Sequence, residues 1–276
     1  MNDYNDDDLA RLEADGLRDQ PRSGIEGSVE TDGAQIWYAS FGTGPALVLL
    51  HGGLGNSGNW AFQVPHFVAA GYRVITIDSR GHGRSSRDRR PLSYWLMAAD
   101  LRAVLDCLGI ARAAVVGWSD GADVGLIAAH DTPERIAALV FFACNVDATG
   151  TLPFVFTPTI GRIYNRHVAD YARLSPTPEA FDAFSAAVNR MQASEPDYSA
   201  ADLAVVHVPV LSLIGDGDEF IRQDHARYIA GAIPGARFRL LEGVSHFAPL
   251  QRPALFDAAV LDFLAEVWPA GPGQNA

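Results

Sequence analysis

Short apolar runs recur along this chain at Ala46–Leu50, Arg73–Asp78, Ala113–Gly117 and Ile136–Ala143, and Pro209–Ile214 and the arginine-interrupted Arg237–Leu241 complete the set. A strand with one face in water alternates apolar and polar residues. A run without alternation suits a strand covered on both faces, as in a parallel sheet enclosed by helices. Helical spacing of apolar residues fills the gaps, at 60–70, 94–108, 119–130, 223–233 and 253–267. Strands alternating with helices predict an α/β architecture with a mostly parallel, doubly wound sheet. A hairpin is expected ahead of the series, Gly27–Thr31 and Gln35–Phe41 around a turn at Asp32-Gly33.

The alternation fails between Asn145 and Ala204, a stretch too long for an ordinary connection. Its aromatic residues, among them Phe154, Phe156, Tyr164 and Phe181, argue against a bare loop and predict a small helical cap over one end of the sheet. The chain thus divides into an acidic tail at 1–24, a core in two parts at 25–144 and 205–276, and a cap at 145–204. The tail is expected to be disordered apart from a short helical stretch around Leu9–Leu17.

Composition removes several functions. With 276 residues, 48% of them hydrophobic, the chain can bury one sizeable domain. A net charge of −12 repels phosphate backbones, so nucleic acid is not an expected partner. No run is long and apolar enough for a membrane span and the first residues lack the pattern of a signal peptide, so a cytoplasmic location is expected. The sequence contains no lysine, which excludes a Schiff-base lysine, a Ser–Lys dyad and a P-loop. Cys107 and Cys144 lie in apolar segments and read as small buried hydrophobes, not as a disulfide or a nucleophile.

The stretch AAVVGWSDGADVGLIAAH places Ser119 between Gly117 and Gly121 where a buried strand gives way to a helix. Two glycines permit a very tight turn, which holds the serine outward, and the helix N-terminus offers free N–H groups and partial positive charge beside it. A serine N-cap on an ordinary helix would give the same local pattern, so the surroundings decide. Three other strand ends bear on it. LVLLHGGLGNSG runs into a glycine-rich loop able to bring a main-chain N–H to the serine; the candidate oxyanion donors are the N–H groups of Gly53 and Asp120, while His51 reads as structural. LSLIGDGDEFI ends in a loop bearing Asp216 and Asp218, both suited by position and lacking the remaining pattern of a calcium loop. LLEGVSHFAPLQRP puts His246 after the last strand.

The order Ser, Asp, His along the chain, with HGG, DSRGHGRSS, GWSDG, GDGD and GVSHFAPLQRP in sequence, resembles the α/β-hydrolase superfamily from about Gly27 to Val267. The WSDG variant is similar to that of small esterases in the valacyclovir-hydrolase-like branch. The resemblance implies Ser119 as nucleophile, His246 as general base and acid, and Asp218, the second aspartate of its loop, as orienter. It implies no metal and no cofactor. Haloalkane dehalogenases and epoxide hydrolases of this fold use an aspartate where Ser119 stands.

The expected activity is hydrolysis of a small ester or thioester through an acyl-enzyme. The same triad could cleave a carbon–carbon bond or an enol-lactone or run a cofactor-free haloperoxidase-like reaction, and a receptor without catalysis would keep only the pocket. Leu54, Trp118, Phe154, Phe156, Tyr164 and Phe181 are candidate pocket residues. The four cap aromatics are first expected in the cap's own core, and Trp118 in packing. Asp120 carries two readings, a charge favouring the helix dipole or a pocket residue attracting a substrate amine. The run RSSRDRRP, Arg84 to Pro91, reads as a solvated surface loop.

Overall fold

A computed structural model describes residues 7–16, 21 and 24–270. An eight-stranded sheet runs in the order β1-β2-β4-β3-β5-β6-β7-β8. The strands are β1 (Ile25–Thr31), β2 (Ala34–Phe41), β3 (Ala46–Leu50), β4 (Arg73–Ile77), β5 (Ala113–Trp118), β6 (Ile136–Phe142), β7 (Val210–Gly215) and β8 (Arg237–Leu241). The hairpin β1–β2 is antiparallel and joins β4 antiparallel; every later pairing is parallel. β3, β5, β6 and β7 are buried along their whole length, as their unbroken apolar runs require.

Alternate residues of each central strand serve opposite cores. Val48, Val115 and Leu139 face one layer, with Leu101 and Val104 of α3 (Tyr94–Cys107), Ile127 of α4 (Asp120–Asp131) and Ile229 of α8 (Gln223–Ala232). Leu49, Val116 and Val140 face the other, with Phe67 of α2 (Gln63–Ala69), Leu250 of α9 (Ala248–Gln251) and Phe256 and Phe263 of α10 (Pro253–Val267). Each such fully buried side chain contributes roughly 1.5–3 kcal/mol, which holds both helical layers on the sheet.

Two features differ from the sequence expectation at the N-terminal side. α1 (Asp7–Asp15) forms where the short helical stretch around Leu9–Leu17 is expected, but it is packed rather than free, with Leu9 and Leu12 in the same core as Phe256; the end of the expected stretch, at 17, lies outside the described residues. The run at 84–91 is solvated only at its far end, 89–91. The Ser85 hydroxyl accepts from Trp37 N at 2.8 Å and donates to Asp78 O, Ser86 Oγ accepts from Gln35 N at 2.9 Å, and Arg84 pairs with Asp78 at 3.1 Å. The loop thereby continues the hydrogen bonding of β2 through Arg84, Ser85 and Ser86, while 89–91 stay exposed.

Between β6 and β7 the chain forms α5 (Pro158–Leu174), α6 (Phe181–Gln192) and the short α7 (Ala200–Leu203). Thr157 caps α5 by accepting from Ile160 N, and Pro158 occupies its first turn, where no N–H is needed. Tyr171 stacks on Phe184 with centroids 4.8 Å apart, Phe181 packs edge-on to both, and Phe184 meets His82 of the core at 4.7 Å. These rings anchor the helices above the C-terminal ends of the strands. Of the four cap aromatics, Phe181 and partly Tyr164 join this packing, whereas Phe154 and Phe156 are exposed, contrary to expectation, because they lie in the extended segment before α5.

The cysteines also divide. Cys144 is buried, but Cys107, on the last turn of α3, is exposed, since the helical pattern turns that position outward; both are free thiols.

Candidate active site

From β3 the chain passes to β4 on one side and then to β5 on the other, so the connections diverge at the C-terminal ends of β3 and β5. Such a crevice is where open α/β sheets hold ligands. The loop after β3 carries Gly52 and Gly53, and the turn after β5 carries Ser119.

Ser119 adopts φ 52°, ψ −127°, a conformation L side chains rarely take. The chain has no slack to avoid it. Ser119 N–H still donates to Phe142 O of β6 at 2.9 Å, while Ala122 N–H already returns to Ser119 O at 2.6 Å. A side chain at Gly117 would collide with the main chain of Gly121 and Ala122, and one at Gly121 with Leu50 O. The oxyanion-loop candidate packs directly on the serine, since a Cβ at Gly52 would lie 3.1 Å from Ser119 Cβ. Gly53 lines the cavity beside it. Asp120 N–H begins α4 and has no intrahelical acceptor. His51 is scaffolding: buried, its ring bonds Gly52 O at 2.8 Å and accepts from Ser79 N at 3.0 Å.

The loop after β7 separates the two aspartates. Asp216 Oδ1 accepts from Gly243 N and Val244 N, bracing the turn after β8. Asp218 accepts from Phe220 N and Ile221 N at 2.9 and 2.8 Å and sets its carboxylate 2.9 Å from His246 Nδ1. Glu219, which sequence reasoning passed over, accepts from the main-chain N–H of His246 at 3.0 Å. Ring and backbone of His246 are thus both gripped by one acidic loop. Burial alone would lower the His246 pKa, but Asp218, with Glu219 and Asp120, outweighs it and the net shift is upward. With Nδ1 committed to Asp218, Nε2 is the nitrogen available for proton transfer. Ser119 and His246 line one cavity, without a direct hydrogen bond among the described residues; such bonds commonly tighten only once substrate is bound.

The cavity has a volume of about 560 Å³. Leu54, Trp118, Phe154, Phe156 and Tyr164 line it as expected from sequence, and Phe181 does not. Trp118 is buried as well, edge-on to Trp60, so it packs and faces the cavity at once. The wall on the Asp120 side is acidic. Asp120 Oδ1 accepts from Gln192 Nε2 at 2.9 Å, Asp123 Oδ2 accepts from the Cys144 thiol at 3.0 Å, and their other oxygens are buried without a partner. Burial raises the pKa of both, that of Asp123 well above its ordinary value, and for Asp120 the Gln192 amide and the nearby Tyr94 hydroxyl oppose this only in part. Glu195 completes this wall, held by Ser93 Oγ and Tyr94 N. Asp123 was findable, being four residues after Ser119 and hence on the same helix face. Glu195 and Gln192 come from the cap and leave no local signal. No arginine is among the described residues lining the cavity, and no group of three or more His, Cys, Asp or Glu side chains there could hold a metal ion.

Comparison with known proteins agrees with this architecture. The family described as alpha/beta hydrolase fold matches residues 45–159. The chain is 31% identical over 250 residues to the RutD protein of Caulobacter vibrioides, whose name describes carbamate hydrolysis, covering 80% of this chain and 91% of that one. It is 28% identical over 264 residues to a Pseudomonas putida 2-hydroxy-6-oxononadienedioate/2-hydroxy-6-oxononatrienedioate hydrolase, covering 83% and 91%. Among solved structures, Est816, described as an N-acyl homoserine lactone degrading enzyme, superposes with a TM-score of 0.67 at 28% identity, covering 86% of this chain and all of that one. No described helix is long and apolar enough to cross a membrane.

Proposed function

Because the chain belongs to the alpha/beta hydrolase family, we propose that it is a serine hydrolase cleaving a small ester or thioester through an acyl-enzyme on Ser119. The observation that carries this reading is the shared cavity wall: a serine strained outward at the strand crevice, and a histidine whose Nδ1 is 2.9 Å from Asp218. Ser119 Oγ attacks the acyl carbon and His246 Nε2 takes its proton. The N–H groups of Gly53 and Asp120 stabilise the oxyanion, each worth roughly 3–4 kcal/mol of barrier. The intermediate collapses as His246 returns the proton to the leaving alcohol or thiol. Water, activated by the same imidazole, then frees the acid and restores the serine.

The relative from Pseudomonas putida raises the second reading, cleavage of a carbon–carbon bond or enol-lactone on the same triad. A dicarboxylate such as its name describes suits this cavity poorly: its lining carries the carboxyl groups of Asp120, Asp123 and Glu195 and no arginine to pair an added carboxylate. A neutral ester, thioester or lactone fits better, in line with the lactone named for Est816.

The test is covalent labelling by a fluorophosphonate together with turnover of p-nitrophenyl acetate. Labelling at Ser119, with turnover abolished in Ser119→Ala, is expected. An unlabelled Ser119 in a folded protein would overturn the proposal and favour a ligand receptor.

A further inference from the structure

Ahead of α5, residues 151–157 form no helix, and Thr151, Leu152, Phe154 and Phe156 among them line the cavity. Thr151 bridges to Ile221, and Leu152 N–H donates to Phe220 O at 2.7 Å, so the segment is tied to the loop that carries Asp218. Beyond that tie it presents Phe154, Val155 and Phe156, which are 66%, 65% and 65% exposed. Contiguous exposed apolar groups of this kind mark a binding surface. Phe154 and Phe156 also line the cavity, whereas Val155 does not. A path of rings leads inward: Phe154 lies 6.1 Å from Phe220, and Phe220 meets the His246 ring edge-on at 4.7 Å. The opposite wall is acidic and hydrogen-bonding, and there an alkyl chain would cover carboxyl groups without satisfying them.

We infer that this aromatic lip selects substrates with a linear apolar chain, which leaves the reacting carbonyl past Phe220 and lies across Phe154 and Phe156. The inference rests on the serine-hydrolase reading and adds the substrate class. Continuity of the lip with the cavity favours a single substrate chain as the occupant over a lipid surface.

The experiment compares kcat/KM for p-nitrophenyl acyl esters from acetate to decanoate, and for a matching series of alkyl acetates, with every substrate kept below its aggregation concentration. Wild type should gain about two- to fourfold per added methylene over part of one series. The double variant Phe154→Ser/Phe156→Ser should lose at least tenfold of the decanoate-to-butyrate ratio, or of its alkyl counterpart. Val155→Ser, on the same segment but outside the cavity, should keep the ratio. A flat profile in both series, a ratio unchanged in the double variant, or an equal loss in Val155→Ser would overturn the inference while acetate turnover leaves the serine reading standing. Gain seen only above aggregation would assign the lip to a lipid surface and overturn it too. No turnover of any ester with Ser119 unlabelled would remove both.

Discussion

Asp78 and Asp120 both follow the C-terminal end of a parallel strand, and both are buried, yet they are treated in opposite ways. Asp78 is filled: Oδ1 accepts from Ser57 N at 2.7 Å, and Oδ2 accepts from Arg84 N and Arg84 Nη1. It ties the loop after β3 to the loop after β4. Asp120 and its neighbour Asp123, both lining the cavity, each keep one buried oxygen without a partner. Asp218 belongs with the filled group, its donors being two main-chain N–H groups and the ring of His246. A filled carboxylate works as scaffold and fixes its neighbours. An open one keeps hydrogen-bonding capacity for whatever enters the site, and the fold bears the cost of burying it.

The contrast is sharpest at Asp218. Asp218→Asn can still accept from Phe220 and Ile221 N–H, so the loop should hold and Tm should move by no more than a few degrees. Its amide can donate where His246 Nδ1–H needs an acceptor, which favours the wrong tautomer, and kcat should fall about ten-thousand-fold. A stopped assay of ester turnover decides it; wild-type kcat would show that filling at Asp218 is merely structural.

The open carboxylates should respond more mildly. Asp120→Ala should lower kcat/KM for amine-bearing esters about tenfold or more beyond any loss on neutral esters, the scale of one charge-assisted hydrogen bond. Equal losses on both would remove amine recognition from Asp120. The smallest effect is expected at Asp123. Its folded-state pKa is raised by burial, so between the ordinary carboxylate value and the raised one the folded protein binds more protons than the unfolded chain. Stability from this group therefore falls as pH rises through that window. Asp123→Asn, which can still accept from Cys144, should raise Tm by a few degrees at pH 8 and leave it nearly unchanged at pH 4. A lower Tm at pH 8 would mean that Asp123 is filled after all.

How far the sequence could be read follows the same division between local and assembled features. β3, β5, β6 and β7 were legible because continuous apolar runs have few other uses, and the end of α10 at Val267 falls where its pattern stops. The residues 84–91 misled because the Ser85 and Ser86 hydroxyls accept from the main chain of Trp37 and Gln35 and Arg84 pairs with Asp78, partners that only the fold brings near. Leu9 and Leu12 marked a short helical stretch in an acidic segment, but two apolar positions could not show that a distant core would bury them. At the site, Ser119, Asp218 and His246 each stand at a strand end and could be named in advance. Glu219, Glu195 and Gln192 could not, since nothing near them in sequence distinguishes them from surface residues.

The left-handed backbone at Ser119 also bears on how an inert form should be made. Alanine removes the hydroxyl but inherits a dihedral pair unfavourable to any residue with a Cβ, whereas glycine occupies it without strain. Ser119→Gly should therefore melt higher than Ser119→Ala and be the sturdier trap for capturing an uncleaved ligand in a crystal. The same replacement loosens the sharp corner that presents position 119, so the sturdier trap would also be the less faithful copy of the working geometry.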